Sequence, residues 1–157
     1  MAETRIVRSI DELAELVGQE LGVGPWLEIT QERVNAFADV SGDHQWIHVD
    51  LERAARSPFG GTIAHGFLTL SLLPELRKGL DGVQIELGQR MGINYGLNRV
   101  RFITPVRVGR RIRLRSKLLG IDKIADDIYH LLYQQTIEVE SEQRPAMVAE
   151  TVSRVHL

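Results

Sequence analysis

The chain has 157 residues and a formal net charge of −2, with 43% hydrophobic and 25% charged residues and no cysteine. Such a charge argues against a dedicated nucleic-acid binder, and the missing cysteines exclude disulfides, a thiolate nucleophile and thiolate-bound metal. The charged N-terminus lacks the apolar run of a secretory signal, and no apolar stretch nears the ~20 residues that span a bilayer, so a soluble cytoplasmic protein is expected.

Ser9 and Glu12 have the spacing of a capping box. Ile10, Leu13, Leu16, Val17 and Leu21 then keep one helical face, and Gly22 suits a stop, which predicts a helix over roughly 10–21. Residues 1–25 accordingly read as an N-terminal helical extension of one domain spanning 1–157. Trp26–Ile29 reads as a short strand. Thr30 is a plausible N-cap, and Val34, Phe37 and Ala38 at helical spacing carry a second helix to about Val40.

Residues 41–62 break every period with Gly, Asp, Pro and Gly-Gly, leaving room for one helical turn near Leu51–Ala55. An irregular stretch of this length inside a compact domain is usually functional or disordered. Trp46, Ile47 and Phe59 favour an ordered excursion packed on something. In the run 67–80 apolar or small residues face every side at first, which predicts a long buried helix, with Pro74 kinking its later turns.

The second half changes to period two. Val100 and Phe102, then Ile112, Leu114, Ser116 and Leu118, then Tyr129, Leu131, Tyr133, Ile137 and Val139 alternate with polar neighbours, the pattern of half-buried antiparallel strands. Turns are expected at 108–110, 123–127 and 141–144, with a last strand over 146–156. Strands around 83–95 are interrupted by Gly82, Gly88, Gly92 and Gly96. An antiparallel sheet that buries one face around a helix is a sensible α+β solution.

Asp43 and His48 stand five residues apart in the irregular stretch. The segment Phe37-x-x-x-Ser41-Gly42-Asp43-x-x-x-Ile47-His48, with Ala64-His65-Gly66 downstream, resembles the motif of the MaoC-like, R-specific enoyl-CoA hydratases and dehydratases. Asn94-Tyr95-Gly96-Leu97-Asn98-Arg99-Val100-Arg101-Phe102 is similar to the small, single-domain subgroup that includes nodulation protein N-like proteins. The resemblance runs from about residue 26 to the end. It implies a hot dog fold, an antiparallel sheet wrapped around a long central helix. It also implies a homodimer with sheets joined edge to edge, a substrate carried on coenzyme A or acyl carrier protein, and no cofactor. The implied reaction is reversible hydration of trans-2-enoyl-CoA to (R)-3-hydroxyacyl-CoA.

The residue types suit that chemistry. Adding water across C2–C3 of an enoyl thioester removes one proton from water and delivers one to C2. A carboxylate and an imidazole touching the same water can perform both transfers. The resemblance gives these roles to Asp43 and His48, either of which could act as base, and the two can titrate as a unit. Charge developing on the thioester oxygen needs a preorganised donor, and the Gly66 N–H at a helix start is the candidate. The family usually has Asn-Pro between its two catalytic residues, where this chain has Gln45-Trp46. Both are candidate substrate contacts, as is His65, which could equally be a buried hydrogen-bonding residue.

Each signal has a plainer reading. Asp in Ser-Gly-Asp commonly bonds its own turn. His44, His48 and Asp43 do not share a helix face, so no metal site is expected. Arg111 and Arg113 belong to a basic strand that could meet coenzyme A phosphates or an acidic carrier, or could be a solvated face. A thioesterase on the same fold and a non-catalytic acyl-thioester-binding subunit are the alternative functions.

Overall fold

A computed structural model describes residues 4–157. Strand β1 (Arg5–Val7) leads to helix α1 (Ile10–Ala14), strand β2 (Glu20–Val23) and the short β3 (Leu27–Glu28). Helix α2 (Gln31–Ser41) precedes the short helices α3 (Trp46–Val49) and α4 (Leu51–Ala55), then α5 (Gly66–Ser71) and α6 (Leu73–Leu76). The strands β4 (Val83–Ile85), β5 (Met91–Phe102), β6 (Arg111–Ala125), β7 (Ile128–Val139) and β8 (Met147–His156) complete the chain.

The helix expected over 10–21 is only α1, so residues 4–25 mix strand and helix and do not form a helical extension. Ser9 does cap α1, its Oγ accepting from the Glu12 amide, while the Glu12 carboxylate accepts from the Arg8 amide. Gly18 then adopts positive φ, and its N–H donates to the Leu118 carbonyl. Residues 20–23 pair with β6 in antiparallel register. Leu13, Leu16 and Leu21 are buried here as a helix would have buried them, which is why the apolar spacing was ambiguous. Gly22 is required by crowding: a Cβ there would lie 1.7 Å from the Asp81 carbonyl oxygen.

The main sheet has the order β2–β6–β7–β8–β5, and β3 also pairs with β6. Its long strands are antiparallel, as the alternation predicted. The short β4 lies outside it, pairing in parallel with β1. Ile112, Leu114, Ile137, Val139, Met147 and Ala149 point inward and meet Leu68, Leu72 and Leu76 from the helical layer. A second cluster joins Val7, Leu13, Leu16 and Leu21 to Leu118, Leu131, Tyr133 and Val155.

The long central helix is instead two short ones, α5 and α6. Pro74 sits in the first turn of α6, where its missing N–H costs nothing, and it cannot continue the hydrogen bonding of α5. Burial is one-sided: Leu68, Thr69, Leu72 and Leu76 face the sheet, whereas Phe67 is 69% exposed. Strand β5 forms one edge of the sheet, and Met91, Ile93, Tyr95, Leu97 and Phe102 on it are exposed. Among the described residues no helix is long and apolar enough to cross a membrane.

Candidate active site

Thr30 caps α2 through its Oγ1, and Gly42 ends the helix in the left-handed region, turning the chain sharply. The plain turn reading of Asp43 holds, because its Oδ1 accepts from the Gln45 amide at 3.3 Å. That bond leaves the other oxygen available. Asp43 Oδ2 lies 3.9 Å from Nε2 of His48, which α3 carries.

His48 is 6% exposed, and its orientation is set by the backbone. Nδ1 lies 2.7 Å from the Ile63 carbonyl oxygen, so Nδ1 carries the proton and donates it. The neutral ring therefore presents an unprotonated Nε2 to Asp43. Burial pushes the His48 pKa below its ordinary value and His65 adds to that, while the Ile63 bond and Asp43 oppose it. The Ile63 amide donates to the Ile47 carbonyl, tying the two segments together. Gln31 donates to the His48 carbonyl at 2.8 Å and accepts from Thr62 Oγ1.

His65 completes the cluster. Its Nε2–H donates to the Asp43 carbonyl at 2.9 Å, and its ring stacks on His48 with centroids 3.7 Å apart. Phe37 closes the far side at 5.0 Å. One residue thus anchors the backbone of Asp43 and the ring of His48 together. Asp43, His48 and His65 also bring ligand-type atoms within 4.8 Å of one another, a set compact enough to hold a metal ion. Each imidazole already engages one nitrogen with a main-chain carbonyl, leaving one nitrogen for any such role.

Gly66 opens α5, and no side chain caps that end. A Cβ at Gly66 would lie 2.8 Å from the Phe102 ring, so only glycine fits against it without displacing the ring. A cavity of about 290 Å³ lies beside His48, lined by Gly66, Thr69, Phe102 and Thr104 among others. A larger one, about 540 Å³, runs past Leu70, Leu73 and Pro74 of α5 and α6.

The remaining sequence candidates lie elsewhere. Gln45 is exposed before α3, and Trp46 packs under the Arg53 guanidinium, 4.3 Å from its carbon. Neither lines the cavity beside His48. Arg111 is ion-paired with Glu140, and Arg113 with Glu138 at 2.6 Å while covering the Trp26 ring. Both flank the buried Ile112 on the outer face of the sheet, away from that cavity. His44 pairs in the open with Asp39, whose hydrogen bond raises its pKa.

Residues 12–140 match the family model described as the MaoC like domain. The chain is 49% identical over 150 residues to 3-hydroxyacyl-thioester dehydratase Z of Mycobacterium tuberculosis, covering 96% of this chain and 97% of that protein. The chain belongs to the MaoC-like dehydratase family. A second relative, nodulation protein N of Rhizobium meliloti, is 47% identical over 146 residues and covers 92% and 89% of the two chains. The MaoC-like dehydratase structure from Rhodospirillum rubrum superposes with a TM-score of 0.73 at 21% identity, covering 96% and 97%, a likeness of fold. The MaoC-like chain thus has the expected α+β hot dog architecture, with a broken helix in its centre.

Three parts of this MaoC-like site escape sequence reading. The Ile63 carbonyl is a backbone group with no residue-type signal. Gln31 stands on a helix whose polar residues look like solvent-facing ones. The bond from His65 to Asp43 spans 22 residues of sequence.

Proposed function

We propose that this chain catalyses reversible hydration of trans-2-enoyl thioesters to (R)-3-hydroxyacyl thioesters, through a water held between Asp43 and His48. The observation that carries this reading is the tautomer of His48. With Nδ1–H bound to Ile63, its Nε2 is a ready proton acceptor 3.9 Å from a carboxylate oxygen, a gap that a water contacting both groups can bridge. Nε2 takes a proton from water, the hydroxyl oxygen attacks C3, and the C2–C3 π electrons move toward the thioester oxygen. The Gly66 amide donates to that oxygen. Collapse of the enolate takes a proton onto C2, returned through the His48–Asp43 pair, so both water protons are accounted for.

Family membership supports the reaction class, and the name of the 49% identical relative specifies 3-hydroxyacyl thioesters. The R configuration follows from the family resemblance. The carrier is coenzyme A or acyl carrier protein. A homodimer joined along β5 fits the same reading, because a second copy would cover its exposed apolar residues and unpaired edge.

The test is hydration of crotonyl-CoA by the purified protein, beside Asp43→Asn and His48→Gln. Loss of either transfer partner should lower the rate by roughly 10²–10⁴-fold. Full activity in both variants would remove the assigned roles. Release of free thiol without hydration would instead identify a thioesterase, and tight binding without any turnover a non-catalytic subunit.

A further inference from the structure

Arg77 closes α6, and its guanidinium lies over the Tyr133 ring, 4.3 Å from the centroid. That contact uses the face of the group and leaves its in-plane N–H donors free to bond. Among the described residues Arg77 has no carboxylate partner: Glu75 pairs with Lys78, and Asp81 accepts from the Val23 amide. Arginine does not lose its proton in proteins, so this half-buried cation is permanent.

Three cavities meet at this residue, of about 540, 190 and 370 Å³, and Arg77 is the only charged side chain lining any of them. The largest shares no lining residue with the cavity beside His48. Its walls have two characters. Leu70, Leu73, Pro74 and Leu97 make an apolar part, while Asn94, Thr151 and Ser153 bring an amide and two hydroxyls. Asn94 and Ser153 are register partners on β5 and β8, and both also line the smaller cavity in which Arg77 meets Tyr133. All three polar side chains can donate hydrogen bonds to an anion. A cation drawn partly out of water with no countercharge loses solvation that an anion restores.

We propose that Arg77 anchors the carboxylate of a small amphipathic acid whose apolar chain lies against Leu70, Leu73 and Pro74. One cation balances one negative charge, and the guanidinium fork matches the two oxygens of a carboxylate. A phosphate monoester carries more charge than this single cation offsets. The carboxylate can belong to a free acid or to the far end of an acyl thioester.

Calorimetric titration of the purified protein with octanoate and with octanol, which has the same chain length and an uncharged head, tests the site. The wild type should bind octanoate more tightly by roughly tenfold or more, the difference expected of hydrogen bonds to a charged group. Arg77→Gln should bring the two affinities together by weakening octanoate. Arg77→Lys keeps the charge without the fork and should retain only part of the preference, which also serves should the glutamine variant fail to fold. Equal affinities in the wild type would overturn the proposal, as would a preference that survives Arg77→Gln or no binding of octanoate at all.

Repeating the titration with butyryl-CoA, or with the coenzyme A monothioester of suberic acid, already bound separates the two sources. Displacement of octanoate by the suberyl thioester alone assigns the carboxylate to the far end of an acyl chain. Undiminished octanoate binding beside either thioester assigns it to a free acid. Displacement by both would overturn the proposal, because octanoate would then occupy the acyl path beside His48. Calorimetry reads binding whether or not the protein hydrates crotonyl-CoA, so this proposal and the hydration reading fail separately.

Discussion

The sheet and the excursion at residues 41–66 are built on opposite principles. Strands β6, β7 and β8 repeat one instruction many times, with alternate residues facing inward and a continuous ladder joining neighbours. The excursion has no repeating pattern. Its geometry rests on single bonds: Asp43 to Gln45, His48 to Ile63, His65 to Asp43 and Gln31 to the His48 carbonyl. The sheet distributes its stability over many apolar contacts, and the excursion concentrates the proposed chemistry in a few polar ones. Stability and rate should therefore separate between the two regions.

The largest separation is expected at Leu114. It is fully buried between the sheet and the helical layer. Leu114→Ala should cost roughly 2–5 kcal/mol from lost burial and the cavity left behind. Denaturant unfolding reads that cost directly. Asp43→Asn, at an exposed position, should shift the same midpoint far less while lowering the rate as described above. A large loss of stability at Asp43 would break the contrast, because the excursion would then carry part of the fold.

The same contrast explains what could be read from sequence. Ile112 to Leu118 and Leu131 to Val139 announce strands because one rule, repeated, survives any single exception. Residues 10–21 misled because Leu13, Leu16 and Leu21 meet the core both in a helix and in the turn-and-strand path observed. The central helix was legible in position, and Pro74 in sequence marked the place where it divides. Asp43, His48 and Gly66 stand out in the sequence through their motif, and the roles given to them are the proposal above. His65 was legible as a buried hydrogen-bonding residue but its partner, the Asp43 carbonyl 22 residues away, was not, and Gln31 was missed altogether because its bond reaches the His48 carbonyl 17 residues on.

Acidification sharpens the comparison with a smaller effect. Burial lowers the pKa of His48, so the folded protein resists protonation that the unfolded chain accepts near the ordinary value of about 6.5. Its contribution to stability is complete above that value and falls away as pH drops through the depressed one, because the unfolded chain binds the extra proton there. On the role proposed for His48, the acid limb of kcat/KM should lie below pH 6.5, because Nε2 would have to be unprotonated to accept from water. An acid limb above pH 6.5 would mean another group controls the reaction. The rate should respond more strongly than stability, one proton at the dyad being decisive for chemistry and minor for the fold.

The smallest effects are expected on the outer face of the sheet. Arg111 and Arg113 were candidates for coenzyme A phosphates, but Glu140 and Glu138 already occupy them, and Arg113 also covers Trp26. Partly exposed ion pairs of this kind contribute little, so Arg113→Gln should cost about 1 kcal/mol or less. A phosphate binding there would have to displace a neighbouring carboxylate and would lower the apparent KM through long-range attraction that salt screens. With both cations already paired, Arg111→Gln and Arg113→Gln should leave KM for crotonyl-CoA and its dependence on salt nearly unchanged. A several-fold rise in KM at low salt that vanishes at high salt would place the nucleotide end of coenzyme A on this face. The face would then belong to the site and not to the solvated surface.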